Sequence, residues 1–120
     1  MGGDMIYEKE LSFSKITVRV TEAGQDVNIL ITGGEKPHIG CTVLALPRPS
    51  LRGDGSISVT SSVMNITGHK DENICRLLAE QTAKKRKSAV CCTGGFDMDR
   101  ITAAQIEEVM QAVEEIVKKI

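Results

Sequence analysis

The strongest constraint on this chain is a change of hydrophobic period near residue 67. Before it, Ile16, Val18 and Val20 alternate with Thr17, Arg19 and Thr21, and Val27, Ile29 and Ile31 repeat the pattern. A period of two places apolar side chains on one face of a strand. The turn EAGQ (22–25) between the two runs makes them an expected antiparallel hairpin. HIGCTVLALP (38–47) is more continuously apolar, which predicts a strand covered on both faces. A loop, PRPSLRGDG, leads to SISVTSSVMNI (56–66), a fourth strand with small hydroxyl residues on one face.

Past residue 67 the spacing becomes helical. Ile74, Leu77 and Leu78 fall at i, i+3 and i+4. Asp71 and Glu72 at the start of this segment, and Lys84, Lys85, Arg86 and Lys87 at its end, match the helix dipole. SAVCCT (88–93) reads as a short buried strand. Thr102 and Gln105 then make a capping-box pattern, with Ile101 and Ile106 at the positions of a hydrophobic staple. Ile106, Val109, Met110, Val113, Ile116, Val117 and Ile120 form one apolar stripe. Burying such side chains is worth ~1.5–3 kcal/mol each, so the stripe must face a sheet or a partner helix. The order β-β-β-β-α-β-α predicts an α+β fold, an antiparallel β-sheet with two helices packed on it. One domain over 1–120 is expected, with residues 1–6 as a flexible N-terminal extension.

Composition excludes several classes. Aromatic residues are 2% of the chain and the net charge is −1. Few rings can stack on bases and no basic excess tracks phosphates, so nucleic acid is not an expected partner. No apolar run approaches the ~20 residues of a membrane helix, and MGGDMIYEKE lacks the features of a secretory signal. The expectation is a cytoplasmic protein without a membrane partner. Cys41, Cys75, Cys91 and Cys92 include no C-x-x-C pair, which suggests buried thiols and no metal site. The RGD at 52–54 reads as turn residues, and the basic run 84–87 as a solvated helix end. No catalytic signature such as G-x-S-x-G or H-E-x-x-H occurs.

Three glycine-bearing loops carry the functional signal. They are Gly33-Gly34 leading to His38 and Gly40, Gly68-His69-Lys70-Asp71 before the first helix, and Gly94-Gly95 before the second. Glycine lets backbone N–H groups approach an anion, and helix N-termini favour negative charge. His69 and Lys70 stand just ahead of a helix start, where a phosphate would sit well. Arg48 and Arg52 could add bidentate contacts. His38 and His69 are the only histidines, and both lie in these loops. Each loop alone could equally be a plain connector.

The combination GG-x-x-P-H-I-G at 33–40, G-H-K-D at 68–71, the glycine pair 94–95 and D-x-I-T at 99–102 resembles one family. It is similar to LpdD, the small D subunit that accompanies gallate decarboxylases of the UbiD class. The likeness runs from about residue 10 onward. It implies a non-catalytic chaperone that binds reduced prenylated FMN and loads it into a UbiD-type decarboxylase. It also implies a fold like that of the proteasome-assembly chaperones, and a homodimer. His38 falls in the PHIG match, and His69, Lys70 and Asp71 in the GHKD match. The pattern departs at Asp97, where many relatives carry histidine. Two other readings stand beside the carrier. One is an assembly subunit of the decarboxylase that binds no cofactor. The other is a small enzyme using His38 or His69 as acid or base.

Overall fold

The computed structural model describes residues 4–66 and 71–120. Its elements are β1 (Asp4–Glu10), β2 (Lys15–Ala23), β3 (Asp26–Gly33), β4 (Cys41–Pro49), β5 (Ile57–Asn65), α1 (Glu72–Arg86), β6 (Val90–Gly94) and α2 (Ala103–Lys119). The strands form one six-stranded sheet in the order β1-β2-β3-β6-β4-β5. The fold is α+β, as the change of period implies.

Three expectations are corrected. First, the chain has a strand before the predicted hairpin. Asp4 to Ile6 belong to β1, which pairs antiparallel with β2 from Asp4↔Thr21 to Glu10↔Lys15, so the flexible extension does not reach residue 6. Its pattern was masked because β1 is an edge strand whose Met5 and Ile6 are both exposed, so no alternation marks it. Second, the sheet is mixed. β6 runs parallel to β3 and antiparallel to β4. A parallel neighbour needs a crossover, which α1 supplies. Third, β4 is covered on one face only. Val43 and Ala45 are buried, whereas Leu44 is 43% and Leu46 46% exposed.

All helical packing is on one side of the sheet. α1 lies over β4, β5 and β6, and α2 packs beside α1 and reaches β1 and β2. The core joins Ile16, Val18 and Val20 of β2, Val27, Ile29 and Ile31 of β3, and Val43 of β4 to Leu78 of α1 and Val109, Val113 and Ile116 of α2. In α1 the buried line is Cys75, Leu78, Ala79, Thr82 and Ala83, with Ile74 and Leu77 at its margins. Small residues at 75, 79 and 83 let the helix approach the sheet closely. Cys41, Cys75 and Cys92 are buried free thiols within this core, and Cys91 points to the opposite face of β6.

The helix ends behave as their residues dictate. At α2 the Thr102 side chain accepts from the Gln105 N–H at 3.1 Å, and the Gln105 side chain accepts from the Thr102 N–H at 2.9 Å. Lys85 of α1 donates to the Val117 and Lys118 carbonyls, which closes the C-terminus of α2. α1 stops where Lys87 adopts a left-handed conformation and its N–H meets the Ala83 carbonyl. Leu78→Ala is expected to cost ~2–5 kcal/mol through loss of burial and a residual cavity. Thr102→Ala should cost only ~1 kcal/mol through loss of the cap. Urea unfolding of the two variants checks the ranking.

Candidate functional site

The strand order brings one end of the sheet to a focus. β3 ends at Gly33 and β4 begins at Cys41, with β6 between them, so the 34–40 segment crosses over the end of β6. At that same end β6 terminates in Gly94, β5 finishes at Asn65, and α1 starts at Glu72. His38, Gly40, Asp71, Gly94 and Gly95 therefore meet in space although they are up to 57 residues apart.

Asp71 is the centre of this meeting. It is 4% exposed and immediately precedes α1. Its carboxylate does not cap its own helix; it turns inward instead. Oδ1 accepts from the Phe96 N–H at 2.9 Å, and Oδ2 accepts from His38 Nε2 at 2.9 Å. His38 Nδ1 lies 3.2 Å from the Lys36 carbonyl oxygen. A carbonyl and an ionised carboxylate both accept, so the two contacts favour the doubly protonated ring. When protonated, His38 pairs with the buried Asp71 side chain at 2.9 Å. Partial burial pushes its pKa down. The hydrogen bonds to Asp71 and the Lys36 carbonyl, with the charges of Asp71 and Asp97, outweigh that and raise it above the ordinary 6.5.

Gly40, Gly94 and Gly95 make room for this arrangement. A Cβ on Gly40 or Gly95 would run into the Asp71 carboxylate. The N–H of Gly40 is bonded to the Gly94 carbonyl at 2.9 Å, and that of Gly95 to the Ile31 carbonyl at 3.0 Å, so neither is available to a phosphate. Gly94 has φ +125°, and a side chain there would strike the Ile31 carbonyl. Gly34, at φ +84°, allows the backbone to press on Asp97, and the Glu35 N–H bonds to the Asp97 carbonyl at 2.6 Å.

Beside Asp71 opens a cleft of about 470 Å³ between the start of α1, the 96–101 segment and the first turns of α2. His38, Asp71, Asn73 and Asp97 supply its polar groups. The rest of the lining is apolar, with Ile74, Phe96, Met98, Ile101, Ile106, Val109 and Met110. Phe96 is held edge-on to Phe13, with ring centroids 5.9 Å apart. The volume lies within the ~300–1,000 Å³ range of small-molecule sites. Among the described residues, no group of three or more His, Cys, Asp or Glu side chains could hold a metal ion.

The sequence-derived site residues divide three ways. His38 and Asp71 line the cleft, and Gly40 and Gly95 abut Asp71. Gly68, His69 and Lys70 lie outside the described residues. Arg48 and Arg52 are elsewhere. They lie at the β4–β5 hairpin end, Arg48 seven residues after Cys41, on the order of 23 Å along an extended strand, and Arg52 further on in the turn. Arg48 Nε donates to Thr60 Oγ1 at 2.8 Å, and Arg52 sits exposed in the turn. That distance separates both arginines from the His38–Asp71 cleft. Sequence reasoning missed Asn73, Phe96, Met98 and Met110 as cleft residues. The signal for Ile101 and Ile106 was the hydrophobic staple, which here doubles as cleft wall.

The sheet with its two helices has a counterpart among solved structures. A crystal structure entitled a novel chaperone complex for yeast 20S proteasome assembly superposes with a TM-score of 0.57 at 12% identity, covering 98% of this chain and 93% of that one. At that identity the likeness concerns the fold alone. A family model described as the prenylated flavin chaperone LpdD-like domain matches residues 12–120, and the chain belongs to that family. No curated protein matches the sequence significantly.

The His38–Asp71 pair has a pH signature. A raised folded-state pKa means that its contribution to stability is full below about pH 6.5 and is lost as pH rises through the higher folded value. Asp71→Asn would keep an acceptor for Phe96 but present an amide donor to Nε2, leaving a neutral imidazole protonated at Nδ1. NMR titration, with His69→Ala to assign the two histidines, should show His38 titrating above 6.5 in the native chain and below it in Asp71→Asn.

Proposed function

We propose that this protein is a carrier that binds reduced prenylated FMN and delivers it to a UbiD-type aromatic acid decarboxylase in the cytoplasm, without catalysing the reaction itself. Membership of the prenylated flavin chaperone family carries the reading. The cleft supports it physically. It offers an apolar lining of ligand-binding size with a single imidazolium at its polar side, and it draws its walls from two helices and a loop. The flavin ring system would lie in this cleft between α1 and α2, not on the open sheet surface. With Phe96 as the sole aromatic residue in the lining, the grip would be aliphatic and thioether contact. That suits a protein that must release its cargo. His69 and Lys70, one and two residues before Asp71, are the proposed partners of the phosphate, with the positive end of α1 beside them.

A second observation favours a protein partner. The sheet face away from the helices is rich in exposed apolar side chains, with Leu30 on β3, Leu44 and Leu46 on β4 and Met64 on β5. Thr42 and Thr93 lie in register between Leu30 and Met64, so the centre of the face is uncharged. Such a face supports a homodimer, and equally the alternative in which the chain is an assembly subunit of the decarboxylase.

Anaerobic titration with reduced prenylated FMN, followed by absorbance, separates carrier from assembly subunit. The carrier should bind it and restore activity to apo-decarboxylase. His69→Ala combined with Lys70→Ala should weaken binding at least about tenfold, the loss of one or two charge-assisted contacts. Absence of binding, with co-purification of the decarboxylase retained, would establish the assembly reading instead.

A further inference from the structure

The lining of the cleft is sorted by polarity in a way that orients its cargo. The polar groups His38, Asp71, Asn73 and Asp97 come from the 34–40 loop, the start of α1 and the residues after Gly95. The opposite wall is made by Ile101, Ile106, Val109 and Met110, from the entry and first turns of α2. Ile106 belongs to the apolar stripe of α2, yet it is 49% exposed, while Val109 and Val113 are fully buried. Met98, Ile101 and Met110 are only partly covered. The fold therefore leaves the N-terminal end of the stripe without a partner of its own, at the wall of a cleft. Met110 of this wall and Met98 beside it have unbranched, polarizable side chains that adapt to irregular shapes.

Charge argues for one orientation. Two of the four polar side chains are carboxylates, and the one cation in the lining, His38, is already paired with Asp71. A phosphate inside this cleft would face Asp71 and Asp97 and gain little from His38. A hydrocarbon group would meet Ile106, Met110, Met98 and Ile101 and cover apolar surface that is now wet.

Building on the carrier reading, we infer that the α2 wall of the cleft receives the isoprenoid-derived hydrocarbon of the prenylated flavin, with the ribityl phosphate directed outward. The cleft thereby selects prenylated over unmodified reduced flavin. The five added carbons contact Ile106 and Met110, and the polar edge of the ring system faces His38 and Asn73. Selection follows from the area covered. Burying even two or three methylene equivalents changes affinity by roughly tenfold to a hundredfold. A carrier that discriminates in this way loads its acceptor only with finished cofactor.

The test is an anaerobic binding comparison of reduced prenylated FMN and reduced FMN, using the full chain, Ile106→Asn, Met110→Asn and Met110→Leu. Ile106 is half exposed, so its replacement leaves the core intact, and circular dichroism verifies the fold of each variant. The native chain should prefer the prenylated form by at least about tenfold. Each Asn variant should lose most of that preference, its affinity for reduced prenylated FMN falling at least about tenfold further than its affinity for reduced FMN, and Met110→Leu should retain it. Equal native affinity for both flavins, or an equal loss of both in the Asn variants, overturns the inference and leaves the carrier reading standing. Binding of neither flavin overturns both.

Discussion

A buried carboxylate organises the functional end of this protein. Asp71 sits at the junction of β5, α1, the 34–40 loop and the strand exit at Gly95, and it is 4% exposed. Taking a carboxylate out of water costs several kcal/mol unless it is paired and hydrogen-bonded. Here the Phe96 N–H and the His38 imidazolium meet that requirement. Everything nearby is shaped to let them approach. Gly40 and Gly95 are glycines because a Cβ would occupy the space of the carboxylate, and the 34–40 loop is led over β6 so that His38 can reach it. The cost of burial thus becomes a device for fixing three chain segments relative to one another, and the cleft opens beside the point where they are fixed.

The two faces of the sheet carry separate duties. One is sealed by α1 and α2 and holds the core, including the Cys41, Cys75 and Cys92 thiols. Burial comes first among the causes that push the Cys41 thiol up to about 12, and the neighbouring Cys75 adds to it, so Cys41 stays a neutral core residue at cellular pH. The other face leaves Leu30, Leu44, Leu46 and Met64 in solvent. These apolar side chains surround an uncharged centre at Thr42 and Thr93, with Arg19 beside Leu30 at the margin. The cleft and the exposed apolar face are therefore on different surfaces. The cleft lies on the helical side, at the end of the sheet, and the apolar face lies behind it.

Much of the fold was legible because local rules and global packing agree. The alternation at Ile16–Val20 and Val27–Ile31 maps onto the buried face residue for residue, and the T-x-x-Q pattern is a capping box in fact. Where reading failed, a neighbour decided the outcome. HIGCTVLALP is apolar enough for a strand covered twice, but no second layer exists to cover Leu44 and Leu46. β1 lacks an alternating pattern because an edge strand exposes both neighbours at Met5 and Ile6. The glycine pair 94–95 signals close backbone approach, and sequence cannot say whether an anion or a carboxylate side chain approaches. It is Asp71.

The sequence by itself determined the α+β class, the hairpin and the capped second helix. These follow from period, end signals and motif, which act over a few residues. The tertiary structure alone decided that β6 inserts between β3 and β4, that Arg48 and Arg52 lie at the far end of the sheet, and that Ile101, Ile106, Met98 and Met110 wall a cleft. Strand order is set by which faces can be buried together across long loops. No local propensity encodes that choice, so the residues it brings together are known only once the chain has packed.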